Sequence, residues 1–416
     1  MKEIFIKNVR FYEDSKLHSL YIKDGIVEDV DGTVSKRDFV FDAEKRILLP
    51  AFVNSHAHLG RALTLTYAEP NKSGTLLEGV LKTQEVAKKI TQEELEQRLF
   101  KVGRLLFANG VTRVRTHEPI IGGLLDKMLV AREKIKNLLD LQIVAFPNNG
   151  VFQVGIENFE KALERGADVV GFAPHFEKSF EEGLQSIKHV FELAKKYNKL
   201  VDGHVDETDD PNSRFAEAVA TEALRRDWGN RTTISHITAS HSYENWYFHK
   251  LALLFKEAAV NIVSNPVVST FLQGRYDNYP KRRGVARIKE LLKAGVNVSL
   301  GTDNIADHVF PLGDGNMLRV LQQAFLIDLW VYEDIFGSLR LITYNAAKTM
   351  NVQNYGVKIG EKAELVVLNA KSEYEAIRAA LPPALVIKGE NVCQNIFESK
   401  INDTRAEDIF TDLVFD

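Results

Sequence analysis

Residues 181–210, EEGLQSIKHVFELAKKYNKLVDGHVDETDD, contain one complete helix-to-strand unit. Leu184, Ile187, Val190, Phe191 and Ala194 recur at helical spacing, which predicts an amphipathic helix with one buried face. The apolar-leaning stretch around Leu200 to Val205 is too short for a helix and reads as a strand. It runs into a single histidine, His204, set among five carboxylates between Asp202 and Asp210. An acidic solvated turn accounts for such carboxylates without any chemistry, and is the default reading until other residues converge on the same place.

Working outward, the same alternation recurs between about residue 51 and residue 354. Short buried-looking segments alternate with helical ones: AFVNSHAH, GVTRVRTHE, LQIVAFP, DVVGFAPHF, LVDGHVDE, TTISHI, NIVSNPVV and NVSLGTD. Eight strands with intervening helices predict an α/β protein built on a closed (β/α)8 barrel, the TIM-like architecture that typically takes ~250 residues before insertions. A doubly wound open sheet is the structural alternative, but no Gly-rich phosphate loop follows the first strand, which disfavours its dinucleotide-binding form. Residues 1–50 read as short β-segments, EIFIKNVRFY, LHSLYIKDGIVEDV and DFVFDAEKRILLP, and GEKAELVVLNA and ALVIKGENV near the other end have the same character. The expected organisation is a barrel over 51–354 and a small β-sandwich-like subdomain assembled from 1–50 and 355–416.

The composition narrows the function. With 416 residues, 45% hydrophobic and 26% charged, the chain is of the soluble globular type. Lys+Arg 53 against Asp+Glu 57 gives a net charge of -4, which argues against a nucleic acid polymer as partner and for a small molecule. The isolated run Lys281 to Arg283 reads as a solvated loop. The opening MKEIFIKNVRFYEDS lacks a signal-peptide core and no 18-residue uncharged apolar run occurs, so no membrane association and a cytoplasmic location are expected. The single cysteine, Cys393, cannot form an internal disulfide and cannot supply the P-C-x-x-C zinc site of cytidine-type deaminases.

A barrel of this kind carries its functional side chains where strands end, at the C-terminal mouth. His56 and His58 close the first predicted strand and, two apart, project from one face of an extended backbone. His204 closes the fifth, His236 the sixth and Asp303 the eighth. Each alone reads as a packed or capping residue, but five at the ends of four strands are hard to assign to packing. Three histidines and an aspartate suit a catalytic divalent metal with a position left for water. Glu207, three residues after His204, must lie beyond the strand end to curl back over the mouth, where a partly desolvated carboxylate can move protons. Asp202 reads as structural, while Asp206, Asp209 and Asp210 are loop charges or partners that orient ligands. His117, His175 and His241 are assigned packing or supporting roles. No lysine closes the fourth strand to bridge two ions, so one metal ion is expected.

In order along the chain, LPAFVNSHAHL, SGTLLEGV, DLQIVAFP, GADVVG, HVDETDD, SHITASHSY, LQGRYDNYPKRRG, GVNVSLGTDN, FPLGDGNML and NYGVKIGEKAELVVL resemble the amidohydrolase superfamily, more narrowly the bacterial metal-dependent cytosine deaminases. The resemblance implies one divalent ion per subunit, Zn2+ or Fe2+, on His56, His58, His204 and Asp303. It further implies that Asp303 accepts the water proton, Glu207 protonates a ring nitrogen and His236 stabilises developing charge. The substrate pocket would involve Phe146, Asn148, Asn304 and Val309. Here Asn148 stands where the family has a glutamine, Asn304 where it has a second aspartate, Val309 near its pocket tryptophan, and Gly60 where aspartate follows H-x-H-L. TDNIADHVFPLGDGN also resembles the N-isopropylammelide amidohydrolases, which remove an alkylamine from a triazine. The expected function is hydrolytic deamination of cytosine or a related base in pyrimidine metabolism by a homo-oligomer. Aminohydrolysis of a triazine, pterin, isoguanine or other bulkier heterocycle is the alternative, and a non-catalytic amidohydrolase-like protein the remote one.

Overall fold

The structure, a computed structural model, describes residues 2–396 apart from 13, 33–36 and 67, together with the pairs 400–401 and 404–405. The rest of the C-terminal stretch assigned above to the β-subdomain lies outside the described residues.

The chain begins with β1 (Glu3–Phe11), β2 (Leu17–Lys23), β3 (Ile26–Val30), β4 (Phe39–Asp42) and β5 (Ile47–Pro50). Asp24 and Gly25, at φ 46° and 78°, make the two-residue turn between β2 and β3, the left-handed geometry that tight hairpins require. β1 pairs antiparallel with β2 on one side and parallel with β4 and then β5 on the other. After the barrel, β14 (Glu364–Val367), β15 (Leu385–Lys388) and β16 (Asn391–Gln394) complete the sheet, β14 pairing with β5. The terminal segments thus form one mixed eight-stranded sheet. An antiparallel bridge between Ile26 and Lys362 curls it back on itself, and Ile4, Ile6, Leu20, Ile22, Leu365 and Ile387 fill the interior.

The second sheet holds β6 (Phe52–Ala57), β7 (Val111–Pro119), β8 (Asp140–Phe146), β9 (Val169–Phe172), β10 (Leu200–Val205), β11 (Thr232–His236), β12 (Asn261–Ser264) and β13 (Asn297–Leu300). Each pairs in parallel with its sequence neighbour, with helices between them, as a (β/α)8 barrel demands. The seam between β6 and the chain after β13 closes through a parallel bridge from Ala57 to Asp303. Asp303 N–H donates to the His56 carbonyl at 2.9 Å, and His58 N–H to the Asp303 carbonyl at 3.3 Å. Barrel closure and the predicted metal ligands therefore share the same few residues.

The helix anticipated within 181–210 spans Phe180–Lys196, capped by Ser179, whose hydroxyl accepts from Glu182 N–H at 3.1 Å. It buries Ile187, Val190, Phe191 and Ala194 against the barrel, with Leu184 at the edge of that face. On β10 Gly203 is needed on steric grounds, since a Cβ there would lie 2.4 Å from the Phe172 ring.

Candidate active site

The mouth of the barrel gathers four backbone irregularities. Asp206, His236, Ile237 and Asp303 all have positive φ, at 52°, 74°, 44° and 58°. For a β-branched residue such as Ile237 this is a genuine strain, of the kind concentrated at functional sites. The turns swing the side chains at the strand ends inward over the barrel axis.

His56, His58, His204, His236, Glu207 and Asp303 meet there, all buried. His58 Nε2 lies 3.3 Å from both His204 Nε2 and Asp303 Oδ1, and His56 Nε2 lies 3.9 Å from that carboxylate. Overlapping trios, His56–His58–Asp303, His56–His204–His236 and Glu207–His236–Asp303, each hold one ligand atom per residue within 4.8 Å of the others.

Hydrogen-bond partners place the ring protons of His56 and His58. Ser235 Oγ donates to Asp202 Oδ1 at 2.7 Å, so it accepts from His56 Nδ1 at 3.1 Å and leaves His56 Nε2 as a lone pair. His58 Nδ1 donates to the His117 carbonyl at 3.0 Å, leaving its Nε2 bare as well. Desolvation holds His56, His58 and His204 well below the usual imidazole pKa, and neighbouring histidines for His56 and His204, and Arg61 for His58, add to it. Neutral imidazoles of this kind could hold a metal ion. His56 Nε2 and His204 Nδ1 are buried without a hydrogen-bond partner. Nitrogens 3.3 Å apart match neighbouring ligands each bound at about 2.1 Å, so the donor set fits a divalent cation.

Glu207 faces His236, with Oε1 3.4 Å from Nδ1. Burial first, and the Asp303 charge second, raise the Glu207 pKa well above the ordinary carboxyl range, which favours its protonated form. Burial likewise raises Asp303 and pushes His236 down to about 3. Asp206, adjacent to Glu207, is an anchor: its carboxylate accepts from Ser213 Oγ, the Phe215 and Ala216 N–H groups and the Tyr243 hydroxyl, at 2.6, 3.0, 2.9 and 3.1 Å. This knot at the start of the helix Phe215–Arg225 holds the loop that turns Glu207 back over the mouth. Asp202 lies in the barrel interior, paired with Arg115 at 2.7 Å. Asp209 Oδ2 accepts from Gly274 N–H, and Asp210 caps its own loop.

A cavity over this cluster is lined by Phe146, Asn148, Asn304 and Val309, with His58, His204, Glu207 and Asp303 at its floor. Phe146 stacks on His204 with ring centroids 4.2 Å apart. Asn148 Oδ1 is buried without a partner. His117 sits behind the site, its ring 4.0 Å from that of His56, and His241 lies half-buried in the turn after β11. The sequence reading passed over Ser235 and the pair Arg61–Asp307. Arg61 also lines the cavity, its Nε donating to Asp307 Oδ2 at 3.1 Å, and Asp307 in turn accepts from the backbone of Val309 and Phe310. Ser235 is visible only once register pairs it with His204 across β10 and β11. Arg61, three residues after His58, had no pattern to mark it.

Comparison with known proteins agrees with this geometry. The model of the amidohydrolase family matches residues 162–393. The crystal structure of 5-methylcytosine deaminase from Klebsiella pneumoniae, liganded with 5-fluorocytosine, matches with a TM-score of 0.90 at 38% identity, covering 95% of this chain and 99% of that one. N-isopropylammelide isopropyl amidohydrolase of Pseudomonas sp. strain ADP is 26% identical over 415 residues, 94% of this chain and 96% of that protein. Pterin deaminase of Rhizobium rhizogenes is 23% identical over 400 residues, 92% of this chain and 90% of that protein. The chain belongs to the amidohydrolase family. It is a hydrolase of carbon–nitrogen bonds other than peptide bonds in cyclic amidines, and its chemistry is hydrolytic deamination of a heterocycle. Among the described residues no helix is long and apolar enough to cross a membrane.

Proposed function

We propose that the chain deaminates cytosine-type pyrimidines, 5-methylcytosine included, with water as co-substrate and ammonia as leaving product. The observation that carries this reading is a buried Glu207, its carboxyl pKa raised by burial, facing the same cavity as the unpartnered amide oxygen of Asn148, above a cluster of histidines. Likeness to the Klebsiella enzyme supports the substrate class. Leu76, Val80, Leu272 and Val309 supply an apolar wall suited to a ring methyl group.

His56, His58, His204 and Asp303 would hold the single divalent ion, zinc or iron. When bound, such an ion would lower the pKa of water towards ~7 and so supply a nucleophile at neutral pH. Asn148 and Phe146 orient the ring, the amide by hydrogen bonding and the phenyl by packing. Glu207 gives its proton to the ring nitrogen next to the amino-bearing carbon, while Asp303 takes a proton from the attacking water. His236, with Asn265 Nδ2 3.3 Å from its ring, stabilises the charge that builds on the new oxygen. Asp303 then returns its proton to the amino group, the carbon–nitrogen bond breaks and ammonia leaves. The new oxygen gives its proton back to Glu207, so the carbonyl product forms and both carboxyls are reset.

The test is ammonia release by the metal-loaded protein from cytosine, 5-methylcytosine, isoguanine, aminopterins, creatinine and amino-triazines, with alkylamine release followed alongside. Turnover of cytosine or 5-methylcytosine is expected, and Glu207→Gln should keep its metal while losing about 10²–10⁴-fold in rate. Turnover confined to triazines or fused rings would sink the pyrimidine assignment, and near-full activity in Glu207→Gln would remove that residue from the proton path.

A further inference from the structure

The cavity over the metal-ligand cluster does not end at the ring site. Leu76, Phe176, Glu207 and Leu272 line both it and a larger outer chamber of ≈ 570 Å³, so they form a neck between the two. The chamber is framed by firm contacts. Gly274 N–H donates to Asp209 Oδ2 at 2.8 Å, and Arg282 joins its own loop, through Asp277, to the Asp209 carbonyl and to Ser242. The segment following the helix Pro266–Leu272 is thereby tied to the loop that carries Glu207.

Four residues that line the chamber have buried polar atoms with no partner. Gln273, 9% exposed, leaves Nε2 without an acceptor. Both ring nitrogens of His175 are unpaired, as are Asp209 Oδ1 and Glu177 Oε2. Native interiors seldom leave such groups unmet by protein, water or ligand, and here they gather around one space. Burial pushes His175 down to about 4, so at neutral pH its ring offers one donor and one acceptor. The unmet set therefore mixes donors with acceptors. Glu177, Glu207, Asp209 and Asp210 outnumber Lys178 and Arg275 in the lining, which disfavours a phosphate. A hydroxyl, which donates and accepts at once, fits this set, and a methyl group meets none of it.

We infer that the outer chamber is a second subsite that receives an uncharged, hydroxyl-bearing substituent of the heterocycle, with Gln273 donating to it and His175 and Asp209 completing its hydrogen bonds. The inference rests on the heterocycle-deaminase reading above and extends it to the group attached to the ring.

The experiment compares cytosine, 5-methylcytosine, 5-hydroxymethylcytosine, cytidine and cytidine 5′-monophosphate as ligands and substrates of the metal-loaded full chain. Affinity is read by calorimetry and turnover by ammonia release, on the wild type, Gln273→Leu and His175→Phe, which keeps a planar ring without its nitrogens. At least one hydroxylated compound should bind about tenfold more tightly than its unhydroxylated counterpart, the effect of one well-made hydrogen bond in a dry site. That ratio should collapse to about one in either folded variant, and the monophosphate should lose the advantage. An unchanged ratio in both variants, or no advantage in the wild type, overturns the subsite and leaves the chamber to water. Absence of any turnover with the binding ratio intact would overturn the deaminase reading but not the subsite.

Discussion

A Cβ placed on Gly60 would lie 2.1 Å from Glu118 Oε2 and 2.9 Å from Leu124 Cδ2, so the turn after His58 has no room for a side chain. Glu118 occupies that room. Its Oε1 accepts from Gly60 N–H at 3.0 Å and from the Thr116 hydroxyl at 2.5 Å, and Thr116 Oγ1 accepts from Leu59 N–H at 2.8 Å. A carboxyl from β7 thus sits where H-x-H-L-D sequences carry their own aspartate. Gly60→Asp alone should overpack the turn, costing about 1–3 kcal/mol in unfolding stability together with activity. The double variant Gly60→Asp/Glu118→Ala should recover much of both, measured by thermal melting and ammonia release. A double variant no better than the single one would show that the two positions do not exchange roles. His56, His58, His204, His236 and Asp303 were legible because strand ends in a barrel point one way. Glu118 and Ser235 were not, because each acts across a strand pair, and register is absent from local sequence.

At the scale of elements, the terminal sheet depends on ties between its turns. His18 on β2 donates from Nδ1 to Asp31 at 2.7 Å and from Nε2 to Asp14 at 3.0 Å, and it stacks on Phe11. The hydrogen bond to Asp31 raises the His18 pKa, desolvation opposes it, and the bond to Asp14 adds to the rise. A raised folded pKa contributes stability that is fully present below the unfolded value of about 6.5 and is lost as pH rises through the folded value. The carboxylates are shifted the other way, chiefly by a backbone hydrogen bond at Asp14 and by His18 at Asp31, so their contribution is lost as pH falls through their depressed folded values. Melting temperature should therefore fall slightly between pH 6 and pH 8 in the wild type, and this part of the slope should vanish in His18→Asn. An identical slope in the variant would rule the tie out. The eight barrel strands were readable as short apolar runs, four of them closed by the predicted site residues. The terminal strands were readable too, but whether they form one sheet or two depends on which edges meet, as at Ile26 and Lys362.

For the whole molecule, the metal ligands proposed here lie on both sides of the barrel seam: His56 and His58 at the end of β6, Asp303 beyond β13. An ion on them would staple the first strand to the last. Removing it should lower the melting temperature, since a ligand at a thousandfold excess over its Kd stabilises the folded state by about 4 kcal/mol. The loss should concentrate as faster amide exchange along β6 and β13. An unchanged melting temperature after verified metal removal would mean that these residues do not hold the ion. What the sequence determined by itself was everything carried by periodicity and order: the helix–strand alternation, the strand ends, and the residue types at those ends. Only the tertiary structure decided which groups those residues meet, which unpaired groups surround one chamber, and where a missing side chain is replaced from another strand. Those are relations between segments far apart in the chain, set by barrel closure, strand register and packing, and no local pattern encodes them.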